Sequence, residues 1–99
     1  MNKSKFSIIQ RNKECFKCRK TYGLELHHCL FGTANRKKAD EDGLTVWLCN
    51  EHHRGTYGVH GKEGHELDLF LKQLSQSRWM YFYNKTPEQW IKRYGRNYL

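Results

Sequence analysis

Four side chains that can bind a metal form two short pairs in the first half of the chain. In each pair the two residues are three positions apart, so one turn of the backbone can present both ligands to a single ion. Thiolate and imidazole are the ligands that zinc prefers, and two such pairs complete a tetrahedron. The pattern predicts a structural Zn²⁺ bound by Cys15, Cys18, Cys49 and His52.

The fourth cysteine, Cys29, belongs to no short pair. A rival assignment makes Cys29 a zinc ligand, but we favour its interpretation as a small buried apolar side chain. We expect reduced thiols rather than a disulfide framework, because the first residues lead into no long apolar run of the kind found in a signal peptide. Reduced thiols favour a cytoplasmic location.

Further histidines lie beside the zinc pairs, at positions 27, 28, 53 and 60. Adjacent residues on a helix point about 100° apart, so His52 can bind zinc while His53 faces elsewhere. Adjacent residues on a regular strand point to opposite sides, so His27 and His28 can flank one point only where the strand ends or bulges. One of them is then available to bind a metal and the other to act as a base. His60 is a candidate third ligand, phosphate contact or exposed residue, and we favour an exposed or accessory role.

Two short apolar runs form the predicted scaffold for these side chains. Residues 21–30 alternate with period two, and residues 44–48 are rich in strand-forming residues, which together predict a two-stranded hairpin. The connecting residues 32–43 are predicted to form a long polar loop. Alternation over residues 6–8 predicts one more short strand.

The chain after the hairpin is predicted to be helical, apart from a glycine-rich segment. Residues 51–54 can form a helical turn, and the glycines of residues 55–64 indicate irregular structure. Apolar residues at helical spacing predict an amphipathic helix over about 66–80, with His65 in a structural role at its start. A second helix is predicted over about 87–95. Its start and stop signals are Thr86, Pro87, Gln89 and Gly95.

Length and charge indicate one basic domain. A chain of 99 residues is a single domain, here 1–99, of predicted α+β class, and a core this small benefits from a metal staple. The formal net charge of +8 favours an anionic partner, most often nucleic acid. No apolar stretch is long enough to span a membrane. Aromatic residues near the end of the first C-terminal helix are expected in the core: Trp79, Tyr81, Phe82 and Tyr83.

Glu25-Leu26-His27-His28, followed about two dozen residues later by Leu48-Cys49-x2-His52-His53, resembles the HNH endonuclease family. The resemblance covers residues of about 15–60. It implies a ββα-metal fold, in which a hairpin and a helix hold a catalytic divalent ion, with a zinc knuckle on the four positions named above. It also implies a metal-dependent DNA endonuclease. Because small free-standing members are often phage proteins, it further implies a phage-encoded protein acting in a bacterial host.

The resemblance implies a role for each of three histidines. His27 and His53 match the ligands of the catalytic ion, and His28 matches the general base. The middle Asn of the family would fall near Leu44, where this chain has none. In the family that Asn is thought to brace the loop between the strands.

The chemistry agrees with these roles. A neutral imidazole can accept the proton of an attacking water at cellular pH, and a divalent cation can stabilise the leaving oxygen of a phosphodiester. The expected catalytic ion is Mg²⁺ or Mn²⁺ or another divalent transition metal, and nitrogen ligands accept transition metals more readily than Mg²⁺.

Basic residues near the hairpin tip and the second histidine pair are candidate contacts to DNA phosphates, with a solvated charged face as the alternative. They are Arg36, Lys37, Lys38 and Arg54. The expected partner is DNA, without a membrane, and the chain is expected to be a monomer or homodimer. Two alternative functions stay open. One is a non-catalytic zinc module that binds nucleic acid. The other is an interaction domain in which a second structural zinc is shared by His27, His28, His53 and His60.

Overall fold

The computed structural model describes residues 6–99 of the chain. Within this range the protein has two strands and four helices, joined by turns and irregular segments. The α+β class predicted from the sequence is confirmed, with a two-stranded antiparallel sheet and helices around it. In chain order the elements are β1 (Leu24–His28), α1 (Thr33–Asp42), β2 (Thr45–Cys49), α2 (Asn50–His53), α3 (His65–Tyr83) and α4 (Pro87–Tyr94).

The predicted hairpin is present, although β1 is shorter than the apolar run that predicts it. Leu24 pairs with Cys49 at one end, and His28 pairs with Thr45 at the other. The outer edge of β2 is covered by the preceding chain, because the backbone N–H of Trp47 donates to the side-chain oxygen of Gln10. β2 is therefore held on both of its edges, by β1 on one side and by the preceding chain on the other, a support that an isolated two-stranded ribbon lacks.

The prediction of a polar loop over residues 32–43 is wrong, because most of this segment forms helix α1. Its residues are mainly good helix formers, and the glycine that follows, Gly43, has φ 77° and donates its N–H to the carbonyl of Ala39. The segment lacks an apolar stripe, since Ala39 is its only buried residue. Its helical state depends on packing that periodicity does not reveal.

The glycine-rich segment folds back onto α2. The backbone N–H of Val59 donates to the carbonyl of His52 at 2.9 Å, and that of His60 donates to the carbonyl of His53 at 3.0 Å. A Cβ at Gly58 would lie 2.6 Å from the carbonyl carbon of His52, so a larger residue would force these segments apart. This close approach of the two backbone segments brings His60 beside His53.

Both predicted C-terminal helices are confirmed. The first runs from His65 to Tyr83, a few residues beyond the predicted bounds, and His65 begins it as expected. The second begins with the predicted capping box, in which Thr86 and Gln89 satisfy each other's backbone N–H groups. Where the two helices pack, the indole rings of Trp79 and Trp90 are in edge-to-face contact, with their centroids 5.5 Å apart.

Two sequence predictions outside the hairpin are wrong. Residues 6–8 do not form a strand. The hydroxyl of Ser7 instead donates to the carbonyl of Thr45, and its oxygen accepts from the N–H of Ile9. Tyr81 and Phe82 are not core residues, since they are 88% and 58% exposed on the outer face of α3. Within residues 6–99, no helix is both long enough and apolar enough to cross a membrane.

Candidate metal centres

The predicted zinc ligands come together at the base of the hairpin. A tetrahedral zinc with bonds of about 2.3 Å to sulfur separates neighbouring sulfurs by about 3.8 Å. The Sγ atoms of Cys18 and Cys49 are 3.7 Å apart, and Nδ1 of His52 lies 3.2 Å from Sγ of Cys49 and 3.7 Å from Sγ of Cys15. These four side chains are positioned to hold a metal, and their chemistry is consistent with zinc.

The backbone of this knuckle favours thiolate. Burial opposes ionisation of Cys15, but backbone N–H groups of Cys49, Cys18 and Lys17 outweigh it and lower the pKa of the Cys15 thiol to about 6. Thiolate is the form that binds zinc.

Cys29 lies outside the knuckle, as we interpret it from the sequence. It is fully buried among core residues, and burial raises the pKa of its thiol to about 12. A protonated, buried thiol behaves as a small apolar side chain.

A second cluster joins three histidines from three segments: His27 at the end of β1, His53 in α2 and His60 in the glycine-rich segment. One ring nitrogen from each lies within 4.8 Å of the others. The ring centroids of His53 and His60 are 4.8 Å apart, and each is within 5.4 Å of the centroid of His27. His52 and His53 thus belong to different clusters, in agreement with the divergence of adjacent residues on a helical turn.

His27 is buried and neutral. Only 2% of its surface is exposed, and its Nε2 atom has no hydrogen-bond partner among the described residues. Burial, reinforced by the neighbouring imidazoles of His53 and His60, lowers the pKa of His27 to about 3. An unprotonated imidazole with a free nitrogen is the form that binds a metal ion.

His53 is oriented by Glu25, a residue that the sequence analysis did not assign to the site. Nδ1 of His53 lies 2.6 Å from a carboxylate oxygen of Glu25, which also accepts from Nε of Arg54 at 2.9 Å. The hydrogen bond from His53, opposed by burial and aided by Arg54, lowers the pKa of Glu25. Because Nδ1 donates to this carboxylate, Nε2 keeps the lone pair that a metal requires. Glu25 and His27 are two residues apart on β1, so their side chains lie on the same face of the strand. That spacing could have revealed Glu25 as a neighbour of the histidine cluster.

His28 stands at the edge of the same site and makes a different contact. Its Nε2 atom lies 3.3 Å from Oδ1 of Asp40 on α1. A proton on Nε2 is then held toward the carboxylate, which leaves Nδ1 with a lone pair. His27 and His28 both border one cavity because β1 ends at His28, the condition that the sequence required.

The cavity has a volume of about 370 Å³ and also reaches α1. Of the predicted DNA contacts, Arg36 lines it. Lys37 is exposed on the next position of α1, whereas Lys38 donates to the backbone carbonyl of Arg93 at 2.9 Å. The basic residues near the hairpin tip therefore have separate environments.

Asn35 and Asn50, the asparagines nearest to Leu44 in the chain, are not among the residues that line the cavity. Asn35 donates from its side chain to the carbonyl of Tyr94 at 3.3 Å, which ties α1 to α4. Asn50 is the first residue of α2, and its carbonyl accepts from the N–H of Arg54.

No family model, curated protein or solved structure matches the chain.

Proposed function

We propose that the protein is a metal-dependent endonuclease that hydrolyses phosphodiester bonds of DNA, with a ββα-metal arrangement made of β1, β2 and α2. The observation that carries the proposal is the cluster of three imidazoles, His27, His53 and His60, on a cavity that His28 also lines. Structural zinc sites have four protein ligands, whereas catalytic sites have three and keep a position open. A three-histidine cluster belongs to the second kind.

In this proposal His28 removes the proton from the attacking water. Asp40 accepts a hydrogen bond from Nε2 of His28, which fixes the ring and stabilises the imidazolium that forms when Nδ1 takes the proton. A divalent ion held by His27, His53 and His60 would supply positive charge to the phosphate and the leaving oxygen. Glu25 holds His53 in the tautomer and orientation that the ion requires.

The three imidazole ligands also favour some divalent ions over others. Three imidazoles suit Mn²⁺, Ni²⁺ and Zn²⁺ better than Mg²⁺, which prefers oxygen ligands. We therefore expect higher activity with Mn²⁺ than with Mg²⁺ at equal concentration.

The net charge of +8 supports a polyanionic substrate, and Arg36 brings a fixed positive charge to the cavity. Conversion of supercoiled plasmid to nicked or linear DNA, followed across a series of divalent ions and in EDTA, tests the proposal. We expect conversion with Mn²⁺ and none in EDTA. Zinc-loaded protein that binds DNA and cuts it with none of the ions would instead identify a non-catalytic nucleic-acid-binding module.

The alternative of a second structural zinc has less support. It requires His28 as the fourth ligand, but His28 is not among the residues whose ring nitrogens lie within 4.8 Å of one another, which are His27, His53 and His60. Metal analysis separates the two functions. A domain with two structural zinc sites would retain two zinc ions per chain through dialysis.

A further inference from the structure

The amino end of helix α1 opens into the cavity that holds the histidine cluster. Gly32 and Thr33, where the helix begins, line this cavity together with Arg36. The helix has ten residues, long enough for its backbone dipoles to add at the end. The histidine cluster and the helix end therefore share one cavity.

Three backbone donors at this end have no acceptor among residues 6–99. The first hydrogen bond of the helix runs from the N–H of Arg36 to the carbonyl of Gly32, at 2.8 Å. The N–H groups of Thr33, Ala34 and Asn35 precede it, and Gly32 offers no side chain to cap them. Free N–H groups at a helix start form a ready site for an anion.

The charges of α1 run against its dipole. Basic residues Arg36 and Lys37 lie near the positive amino end, and Asp40, Glu41 and Asp42 lie at the negative carboxyl end. Helices are stabilised by the opposite order. A bound anion at the amino end would offset the unfavourable charge there.

The acidic end already has its partners. Arg93 contacts both Glu41 and Asp42, and His28 contacts Asp40. Arg36, by contrast, has no carboxylate partner among the described residues, and its side chain is exposed. The unsatisfied charge of α1 is therefore at the end that faces the cavity.

His27 is an independent indication that this cavity takes a ligand. It is almost completely buried and borders the same space, and its Nε2 atom has no hydrogen-bond partner within residues 6–99. A buried polar atom without a partner is costly unless a ligand or ion completes it. The cavity thus combines an unpartnered imidazole with unpartnered backbone donors.

We propose that the amino end of α1 is a phosphate-binding subsite for the DNA strand. The N–H groups of Thr33 and Ala34 and the guanidinium of Arg36 donate to the phosphate oxygens. The identity of the ligand as a DNA phosphate rests on the proposed endonuclease function. The subsite itself rests on the donors of α1.

Thr33→Pro tests the backbone donors without disturbing the helix. Thr33 is the first helical residue, where proline fits and only removes an N–H that the helix does not use. Gly32 has ψ 144°, within the range that a following proline requires. Thr33→Ala is the matched control, because it removes the hydroxyl and keeps the N–H.

We expect a change in two amide resonances of the wild type and a difference in DNA affinity between the variants. Inorganic phosphate added to ¹⁵N-labelled wild type should shift the amide resonances of Thr33 and Ala34. Fluorescence anisotropy should show that Thr33→Pro and Arg36→Gln bind a short DNA duplex about 10-fold more weakly than Thr33→Ala does. Lys85→Gln also removes one positive charge, but from the exposed turn between α3 and α4, and should bind as wild type does.

The outcomes separate the subsite from the proposed function. If wild type never cuts plasmid but phosphate shifts the amides of Thr33 and Ala34, the subsite stands and the endonuclease does not. If wild type cuts plasmid and Thr33→Pro binds and cuts as Thr33→Ala does, the subsite is wrong. Should Thr33→Pro fail to fold, unchanged Thr33 and Ala34 resonances in wild type would still overturn the subsite.

Discussion

Glu25 shows how a single side chain determines what a neighbouring residue can do. Its carboxylate accepts a hydrogen bond from Nδ1 of His53 at 2.6 Å, and it also holds Arg54. The bond fixes the His53 ring and its tautomer, so that Nε2 keeps the lone pair with which it could bind a metal. His27 reaches the same neutral form by burial. Two residues of one cluster are thus prepared by different physical means.

Replacement of Glu25 should weaken metal binding without unfolding the protein. In Glu25→Gln the amide is a poorer acceptor for the His53 N–H, and we expect Mn²⁺ affinity to fall about 10- to 100-fold. Isothermal titration with Mn²⁺ on zinc-loaded protein measures the affinity. Glu88→Gln, exposed in the first turn of α4, is the control. Equal affinity in Glu25→Gln and wild type would show that Glu25 does not position His53.

Ligand spacing explains how much of the two centres follows from the sequence. Cys15, Cys18, Cys49 and His52 are recognisable because each short pair is a local feature of the chain. His60 is different, since it reaches His53 only through the fold-back of the glycine-rich segment. That approach depends on backbone contacts between segments, which residue spacing does not reveal.

At the scale of elements, α1 connects the hairpin to the C-terminal helices through Asp42. One carboxylate oxygen accepts from the indole N–H of Trp79 at 2.8 Å, from Nε of Arg93 at 2.6 Å and from the hydroxyl of Tyr94 at 2.6 Å. The sequence predicted α3 and α4 from their apolar periodicity and caps, but it missed α1, whose stability comes from contacts such as these. Position along the chain does not reveal such partners.

Removal of the Asp42 carboxylate should therefore destabilise the whole arrangement. Asp42→Ala leaves the guanidinium of Arg93 and two other donors without their acceptor, and we expect the free energy of unfolding to fall by about 3–5 kcal/mol. Urea denaturation followed by circular dichroism measures the change. Glu41→Ala, with a half-exposed side chain, should change it by less than about 1 kcal/mol. Similar values for the two variants would contradict the role of Asp42 as the link between α1, α3 and α4.

At the scale of the whole molecule, the Cys15, Cys18, Cys49 and His52 cluster ties the N-terminal segment to the base of the hairpin and α2. A chain of this length buries a modest core, and a metal staple adds to its stability. The knuckle and the histidine cluster share α2, since His52 and His53 are adjacent. Loss of the zinc should therefore also displace the second cluster.

Chelation should unfold the protein, because metal binding at a structural site contributes directly to folding. We expect Cys49→Ser to lose its zinc and its cooperative thermal transition. Cys29→Ala should keep one zinc per chain, because Cys29 is a core side chain outside the knuckle. Metal analysis and circular dichroism measure both effects. A Cys29→Ala protein without zinc would favour the rival ligand assignment, and an unchanged melt after chelation would exclude zinc as the staple.

The central claim is that the histidine cluster and His28 form a nuclease site, and a plasmid assay comparing wild type with His28→Ala tests it most directly. In Mn²⁺ we expect wild type to nick or linearise the plasmid and His28→Ala to do so about 10²- to 10⁴-fold more slowly, with DNA binding and Mn²⁺ affinity retained. His65→Ala, at the start of α3 and outside both clusters, should cut as wild type does. Cleavage by His28→Ala at the wild-type rate would contradict the account.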